Sequence, residues 1–369
     1  MGTDVCEKKT EAAEAFAIKG TVKSCERYGN GHINDTFLLV CEENGQEYKY
    51  ILQRMNHMIF RDIAGLMKNV NGVTSFLRKQ IEKNHGDLER ETLNLVPTKD
   101  GKIYYQDSNG NSWRMYLFIS DATCYNLVEK PEDFYQSGKA FGHFQCLLCE
   151  YPAEELTETI ADFHNTPARF EVFQKAVEED IKGRAAEVAE EIAFVRKRAG
   201  EMKLAMKMQQ EGILPLRVTH NDTKLNNIMI DDRTGQAVCI IDLDTIMPGL
   251  SIFDYGDSIR FGANTAEEDE PDVSKVSLSL ELFDIYTKGF LEGCAGSLTE
   301  AEISMLPYGA KMMTLECGMR FLTDYLQGDV YFHTTREKHN LDRCHTQFAL
   351  VADMEKKWTQ MKEIVNKYQ

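Results

Sequence analysis

Between Arg217 and Asn264 the chain gathers oxygen-bearing side chains at intervals that suit chemistry. The stretch RVTHNDTKLNNIMIDDRTGQAVCIIDLDT holds His220, Asn221 and Asp222 in a row, Asn227 after four intervening residues, and Asp242 at the end of a second apolar run. The apolar run IMI leads into the turn DDRTG, and AVCII leads out of it. The pattern is loop, strand, tight turn, strand, acid. If residues 228–230 pair with 237–241 as a hairpin, Asn227 and Asp242 come to neighbouring positions at its open end. An amide oxygen beside a carboxylate is a hard-oxygen pair suited to Mg²⁺. Asp222, on the loop just before, is placed to take the proton of a hydroxyl nucleophile. Phosphoryl transfer from ATP asks for these parts: a metal on the phosphates, an Asp at the acceptor, and otherwise positioning.

The plain alternative is structural, since Asp and Asn crowd turns by bonding nearby backbone. Here the D-x4-N spacing, the hairpin and the terminal Asp occur together in one order. The spacing is that of the H-R-D-x4-N catalytic loop of protein kinases. Lys224 stands where a phosphate-neutralising Lys is often found; a solvated loop charge is the other reading. His220 reads as a structural hydrogen-bonder rather than a base. Upstream, Gly29, Asn30, Gly31 and His32 lie between two expected strands. Glycines there let backbone N–H groups approach phosphates, although Gly-Asn-Gly is also an ordinary hairpin turn. Protein kinases carry a Lys on the third strand and a Glu on the next helix. This chain has Gln53 and Arg54 in YILQRMN, and the segment after it is poor in acids. Arg54 can grip a phosphate as a fixed cation or face solvent. Downstream, in FDYGDSIRFG, Asp257 is read as partly substrate-facing, with a buried ion pair bracing the metal loop as the alternative; Asp254 is read as structural. Arg320 in LECGMRFLTDYL, beside Met and Phe, implies partial burial and a charged partner. Tyr331 and Phe332 are either site aromatics or core.

These residues need elements to hold them. Thr21–Tyr28, Asp35–Val40 and Tyr48–Arg54 read as strands, and Lys99–Tyr105 with Ser112–Ile119 as a further hairpin around DSNGN. Asn56–Lys83 has an apolar helical face. From Pro131 the pattern is mainly helical, with Phe173–Gln210 a charge-laced stretch of one or two helices. The 369 residues suggest two domains or lobes. Hydrophobic residues at 43% and charged residues at 27% exclude wholesale disorder. A net charge of −17 excludes nucleic-acid binding by bulk charge and disfavours anionic lipid. No apolar run approaches the roughly 18 residues of a membrane span, and the N-terminus lacks an apolar signal core. The ten cysteines are scattered, and the one close pair, Cys146 and Cys149, reads as reduced thiols. A reducing cytoplasm is the expected compartment, with small molecules rather than proteins as partners.

The loop HNDTKLNN followed by IDLDTIMPGLSIFDYGDSIRFGAN resembles the aminoglycoside phosphotransferase and choline kinase superfamily. YGNGHINDTF, YILQRMN and the tail LECGMRFLTDYLQGDVYFHTTREKHNLDRCHTQFALVADME narrow the resemblance to the N-acetylhexosamine 1-kinases. The resemblance implies an α+β, protein-kinase-like fold of two lobes. Residues 1–113 would form a strand-rich nucleotide-binding lobe. Residues 114–119 would form the connecting segment, with backbone from Tyr116 to Phe118 facing adenine. Residues 120–369 would form a larger helical lobe. It further implies Asp222 as base, Asn227 and Asp242 as Mg²⁺ ligands, and a sugar site that includes Arg320 and Tyr331. The implied reaction is ATP-dependent phosphorylation of the 1-hydroxyl of N-acetylglucosamine or N-acetylgalactosamine. The alternatives are a kinase of the same superfamily acting on choline, homoserine, a methylthiopentose or an aminoglycoside, and a non-catalytic pseudokinase.

Overall fold

The sequence CEENGQEY contains the signal for a tight hairpin, and the chain makes one. Asn44 and Gly45 both take left-handed backbone, at φ of 53° and 81°, which matches the right-handed twist of the flanking strands. They join β2 (Asp35–Glu43) to β3 (Gln46–Arg54) in full antiparallel register. With β1 (Thr21–Arg27), β4 (Tyr105–Gln106) and β5 (Ser112–Leu117) these make a five-stranded antiparallel sheet in the order β1-β2-β3-β5-β4. Alternate residues Phe37, Leu39 and Cys41 of β2 are buried, as the two-residue period of a strand requires. They share a core with Tyr50, Leu52, Trp113, Met115 and Ala12, Ala13 and Phe16 at the end of α1 (Gly2–Ala15). The alternating residues Arg114 and Tyr116 of β5 lie outside that core cluster, yet both are buried.

The structure, a computed structural model, describes residues 2–29, 33–125, 128 and 130–369, with side chains from Lys8 onward. The chain divides into two compact units. One comprises Met1–Thr123, Glu154–Ile160 and Met229–Met247; the other comprises Cys124–Ala153, Ala161–Ile228 and Pro248–Gln369. The first unit also holds α2 (Ile63–Lys83), capped by the Asp62 carboxylate accepting the Gly65 N–H at 2.8 Å. A second, three-stranded sheet has the order β6-β8-β9. It is made of β6 (Ala122–Thr123), β8 (Ile228–Asp231) and β9 (Ala237–Ile240). The Asp231 carboxylate closes its turn by accepting the Thr234 N–H at 2.8 Å. Three local expectations change. The strand over Lys99–Tyr105 shrinks to Tyr105–Gln106, because residues 98–101 turn back on a Gly101-to-Thr98 hydrogen bond of 2.9 Å. The helix expected from Asn56 starts at Ile63. The helix α1 was not foreseen, because its buried alanines are too small to print an apolar stripe.

The second unit is built on helix pairs that approach to backbone contact. α3 (Pro131–Leu147) and α8 (Leu280–Cys294) meet through Gly138 and Gly142 on one helix and Gly289 and Gly293 on the other. A Cβ at Gly142 would run into the Phe290 carbonyl, and one at Gly293 into the Lys139 carbonyl. α7 (Ser251–Gly262) and α10 (Leu306–Gln327) meet in the same way through Gly256 and Gly309. Residues 173–210 do not form one or two long helices. They belong to α4 (Thr166–Glu179), α5 (Ala189–Lys197) and α6 (Leu204–Gln210), the first of which stops at left-handed Asp180 with φ 36°. β7 (Arg217–Thr219), α9 (Glu300–Ser304), α11 (His339–Lys356) and α12 (Trp358–Asn366) complete the unit. Every cysteine from Cys25 onward is a free thiol, and among the described residues no helix is long and apolar enough to cross a membrane.

Candidate active site

The loop after β7 is held from below by two carboxylates of α7. Asp254 and Asp257 are three residues apart, so they rise from one helix face. Asp254 Oδ2 and Oδ1 accept the backbone N–H groups of His220 and Asn221 at 2.9 and 2.8 Å. Gln145 of α3 also donates to Asp254 Oδ2 at 2.9 Å. Asp257 Oδ2 accepts the Thr223 N–H at 3.0 Å, while its Oδ1 takes Nε and Nη2 of Arg260 at 3.1 and 2.8 Å. Arg260 in turn reaches Glu268 at 2.8 Å. The two acids differ in charge support. Burial pushes the Asp254 carboxyl up, and no guanidinium opposes it. Burial works the same way on Asp257, but the Arg260 cation outweighs it and holds the carboxyl below the usual range. His220 is fully buried between Phe141 and Phe144, at ring separations of 5.6 and 6.2 Å.

On this bed the loop presents Asp222. Its Oδ1 is 2.7 Å from Lys224 Nζ, and its Oδ2 accepts from Asn227 Nδ2 at 3.1 Å. The same Nδ2 donates to the Asp222 carbonyl at 2.8 Å. Three of the residues singled out from spacing therefore converge. The Asp222 side chain keeps 28% of its surface exposed, so a substrate can reach it. Burial opposes the Lys224 cation, yet the Asp222 carboxylate beside it holds the ammonium above its ordinary value. Asn227 Nδ2 is engaged on Asp222, which leaves Oδ1 as the atom of the amide able to coordinate a cation. Beside Lys224 a cavity of about 470 Å³ opens, lined among others by Thr223, Arg260, Phe261, Glu267 and Gln347.

Farther along the same unit, Arg320 lies among three aromatic rings. Its guanidinium is 5.3, 5.9 and 5.6 Å from the centroids of Phe163, Tyr331 and Phe332. Among the described residues it forms no ion pair or hydrogen bond, so the charged partner expected from sequence is replaced by π faces. The loop bearing Tyr331 is fixed by Asp324, whose carboxylate accepts the N–H groups of Val330, Tyr331 and Phe332 at 2.9, 2.8 and 3.0 Å. Asn340, from the HNLDRC segment, donates to Asp324 at 2.8 Å. Tyr331 is 64% exposed, so it is not a core aromatic.

In the other unit a second polar cluster sits beneath β5. Arg114 is buried and ion-paired with buried Asp244, while its Nε donates to Gln53 Oε1 at 2.9 Å. Asn34 donates to Asp244 at 2.6 Å. Burial opposes the Arg114 charge, but Asp244 and, more weakly, Asp242 hold the guanidinium above its ordinary value. Asp242 takes left-handed backbone at φ 59°. The buried Tyr116 hydroxyl has no hydrogen-bond partner among the described residues, and burial holds it far above the normal phenol range. The Phe118 N–H donates to Lys49 O at 3.1 Å, and the Leu117 N–H to Asn94 O at 2.9 Å. Neither N–H is left for a base. Arg54 Nε donates to Asp35 at 2.9 Å and its Nη1 to Asn111 at 3.3 Å. The cation nearest the Asp242 segment is thus Arg114, which sequence reasoning missed; its signal was a charge inside the otherwise apolar strand WRMYL. Gly29 has positive φ, 75°, and open space where a Cβ would go; Asn30, Gly31 and His32 lie outside the described residues.

A model of the phosphotransferase enzyme family, APH, matches residues 24–276. Several solved structures share the fold. An aminoglycoside phosphotransferase from Alicyclobacillus acidocaldarius is 12% identical at a TM-score of 0.63, over 97% of this chain and 96% of that one. A spectinomycin phosphotransferase in complex with ADP and spectinomycin is 13% identical at 0.55, over 97% and 98%. A choline kinase from Cryptosporidium parvum is 12% identical at 0.52, over 93% and 92%. At such identities the likeness is one of fold: an antiparallel sheet region followed by a helical one.

Proposed function

We propose, for a chain that belongs to the phosphotransferase enzyme family, ATP- and Mg²⁺-dependent phosphorylation of the 1-hydroxyl of an N-acetylhexosamine. The observation that carries the phosphotransfer reading is Asp222, a reachable carboxylate aimed by Lys224 and Asn227 and seated on a loop whose N–H groups are tied to Asp254 and Asp257. In this reading Asp222 takes the proton of the acceptor hydroxyl as that oxygen attacks phosphorus. Lys224 offsets charge on the transferred group. Asn227 Oδ1 and Asp242 are the Mg²⁺ ligands, assigned by their order along the chain and by the hard-oxygen donors they offer. The bound ion would neutralise phosphate charge. Residues 1–113 would serve the nucleotide, 114–119 would connect, with backbone from Tyr116 to Phe118 facing the base, and 120–369 would serve the acceptor.

The choice of acceptor rests on Arg320. An aromatic cage could hold a choline-like cation, but here the rings of Phe163, Tyr331 and Phe332 surround the chain's own guanidinium. Burial and the nearby Arg320 cation hold the Arg169 guanidinium below its ordinary value, so a second positive group stands close by. With its rings occupied by a guanidinium, that environment suits a neutral ring of hydroxyls, whose oxygens accept from Arg and whose C–H face rests on aromatics. Of the three acids lining the cavity beside Lys224, Glu268 is paired with Arg260 and Glu270 with Lys275, which leaves Glu267 as the one without an ion pair among the described residues.

The test is incubation with ATP, Mg²⁺ and each N-acetylhexosamine, followed by phosphorus NMR, beside a panel of choline, homoserine, methylthioribose and kanamycin. Sugar 1-phosphate supports the reading. Phosphate on carbon 6, or turnover only of a panel alcohol, removes it.

A further inference from the structure

The carboxylate of Glu316 is buried in α10 and engaged on two sides. Oε1 is 2.8 Å from Nδ1 of His164, and Oε2 accepts from the Thr166 hydroxyl at 2.5 Å. Burial opposes the Glu316 charge, but the bonds from His164 and Thr166 and the nearby Arg320 cation win, and the carboxyl sits below its usual range. An ionised carboxylate can only accept, so the proton of the imidazole is fixed on Nδ1. The other ring nitrogen has no such use. The His164 side chain is 7% exposed, and its Nε2 is buried without a hydrogen-bond partner among the described residues.

A buried polar atom left unpaired costs stability and invites explanation. The surroundings supply one. The His164 ring packs on Phe163 at 4.5 Å and on Phe253 at 5.5 Å. Phe163 is also one wall of the aromatic group around Arg320. Glu316 and Arg320 are one helical turn apart on α10, and both act on the same network. Phe253 belongs to α7, the helix that carries Asp257 under the catalytic loop. The unpaired nitrogen, the unpaired guanidinium and the loop brace therefore belong to one contiguous neighbourhood in one unit. Arg320 offers donors, whereas a ring nitrogen whose partner Nδ1 carries the proton offers a lone pair. A hydroxyl, which donates and accepts, fits both; an ammonium, which only donates, fits Nε2 but not the Arg320 guanidinium.

We propose that His164 is an acceptor-recognition residue: Glu316 fixes Nδ1–H, and the Nε2 lone pair takes a hydrogen bond from a hydroxyl of a neutral polyhydroxylated ring that also contacts Arg320. This deepens the sugar reading and rests on it.

The experiment compares wild type with His164→Asn and Glu316→Gln on intact N-acetylhexosamine and on its mono-deoxy analogues. In Glu316→Gln the amide N–H₂ can face Nδ1 and drive the proton to Nε2, turning an acceptor into a donor while the ring stays in place. Both variants are expected to raise KM for the sugar by roughly ten-fold, the loss of about one buried hydrogen bond, with KM for ATP unchanged. One deoxy analogue should be poor for wild type yet show no further loss in either variant. Independently, the ¹⁵N-histidine spectrum of the full chain, with His164 assigned by its absence in His164→Asn, should show Nε2 moving upfield on addition of N-acetylhexosamine without nucleotide. Hexosamine turnover by wild type with an unchanged deoxy pattern in both variants, or an Nε2 signal that stays put at saturating sugar, overturns the His164 assignment and leaves the sugar reading standing. Failure of wild type to phosphorylate any hexosamine removes that reading, and this proposal with it.

Discussion

Two polar regions of the helical unit contrast in how completely they are satisfied. Under the catalytic loop, both oxygens of Asp254 and of Asp257 are taken up, by backbone N–H groups, Gln145 and Arg260. Around Arg320 the bookkeeping stays open: among the described residues its guanidinium makes no hydrogen bond, the nearby Glu316 carboxylate being engaged on His164 and Thr166, and a buried imidazole nitrogen has no partner. A closed network fixes geometry, because each member over-determines its neighbours. An open one keeps bonding capacity that only something outside the chain can use. The first region has the character of a scaffold for Asp222, the second of a recognition surface.

The largest expected effect comes from the group the scaffold exists to present. Asp222→Asn should lower kcat by about a hundred- to ten-thousand-fold, with an unfolding curve that matches wild type. A drop confined to KM would mean that Asp222 is not the base. Next, the closed side should break as a stability defect. Asp257→Asn leaves Arg260 buried beside one weakened partner and should cost about 3 kcal/mol, read by urea unfolding. If it instead shifts only the sugar KM, Asp257 faces substrate after all.

Acid should act on Asp257 and Glu316 in the same direction, and in the opposite one on Asp254, whose carboxyl burial pushes up. Asp257 and Glu316 are held below their ordinary values in the folded chain, against about 3.9 and 4.3 when unfolded. The unfolded chain therefore binds protons first as pH falls. Stability from these groups is complete above about pH 4.5 and is lost as pH falls through the unfolded values towards the folded ones. Unfolding free energy measured from pH 7 to pH 3 should fall, and Asp257→Asn should flatten that fall. An unchanged slope would show that the ion pair with Arg260 contributes nothing across this range.

The contrast also explains what could be read from the chain alone. Asp222, Lys224 and Asn227 are local: six residues hold them, and loop geometry brings them together whatever the rest of the fold does. The hairpin at Asn44-Gly45 and the apolar face of α2 are local in the same sense. Arg114 with Asp244, and His164 with Glu316, are separated by 130 and 152 positions. No periodicity links such partners; they meet only once the sheet or the helix pairs have formed. The glycines of α3 and α8 were similarly silent, since a helix interior rich in Gly reads as weak until its close-packed partner is known. Arg320 was visible as an oddity, but the sequence argued for a carboxylate beside it where the fold supplies rings.

The open side should answer differently. Arg320→Met keeps length and apolar contact with Phe163 and Phe332 while removing the charge, and no ion pair is lost. Stability should change by less than about 1 kcal/mol, whereas KM for the sugar should rise by roughly ten- to a hundred-fold, the worth of a charge-assisted hydrogen bond. A large loss of stability would erase the distinction between the two regions.

The smallest effect is expected at Arg54, where the sequence admitted a phosphate contact. Its guanidinium bridges to Asp35 directly across the β2–β3 register and to Asn111, with 30% of the side chain exposed. Arg27 adds a second cation on the same Asp35 at 2.9 Å, so removing Arg54 does not leave that carboxylate alone. An exposed cross-strand pair contributes about 0.2 to 1 kcal/mol, and Arg54→Gln can still bond Asn111. The variant should therefore cost less than about 1 kcal/mol and leave KM for ATP unaltered. A rise in KM for ATP with unchanged stability would show that Arg54 exchanges Asp35 for a phosphate when nucleotide binds.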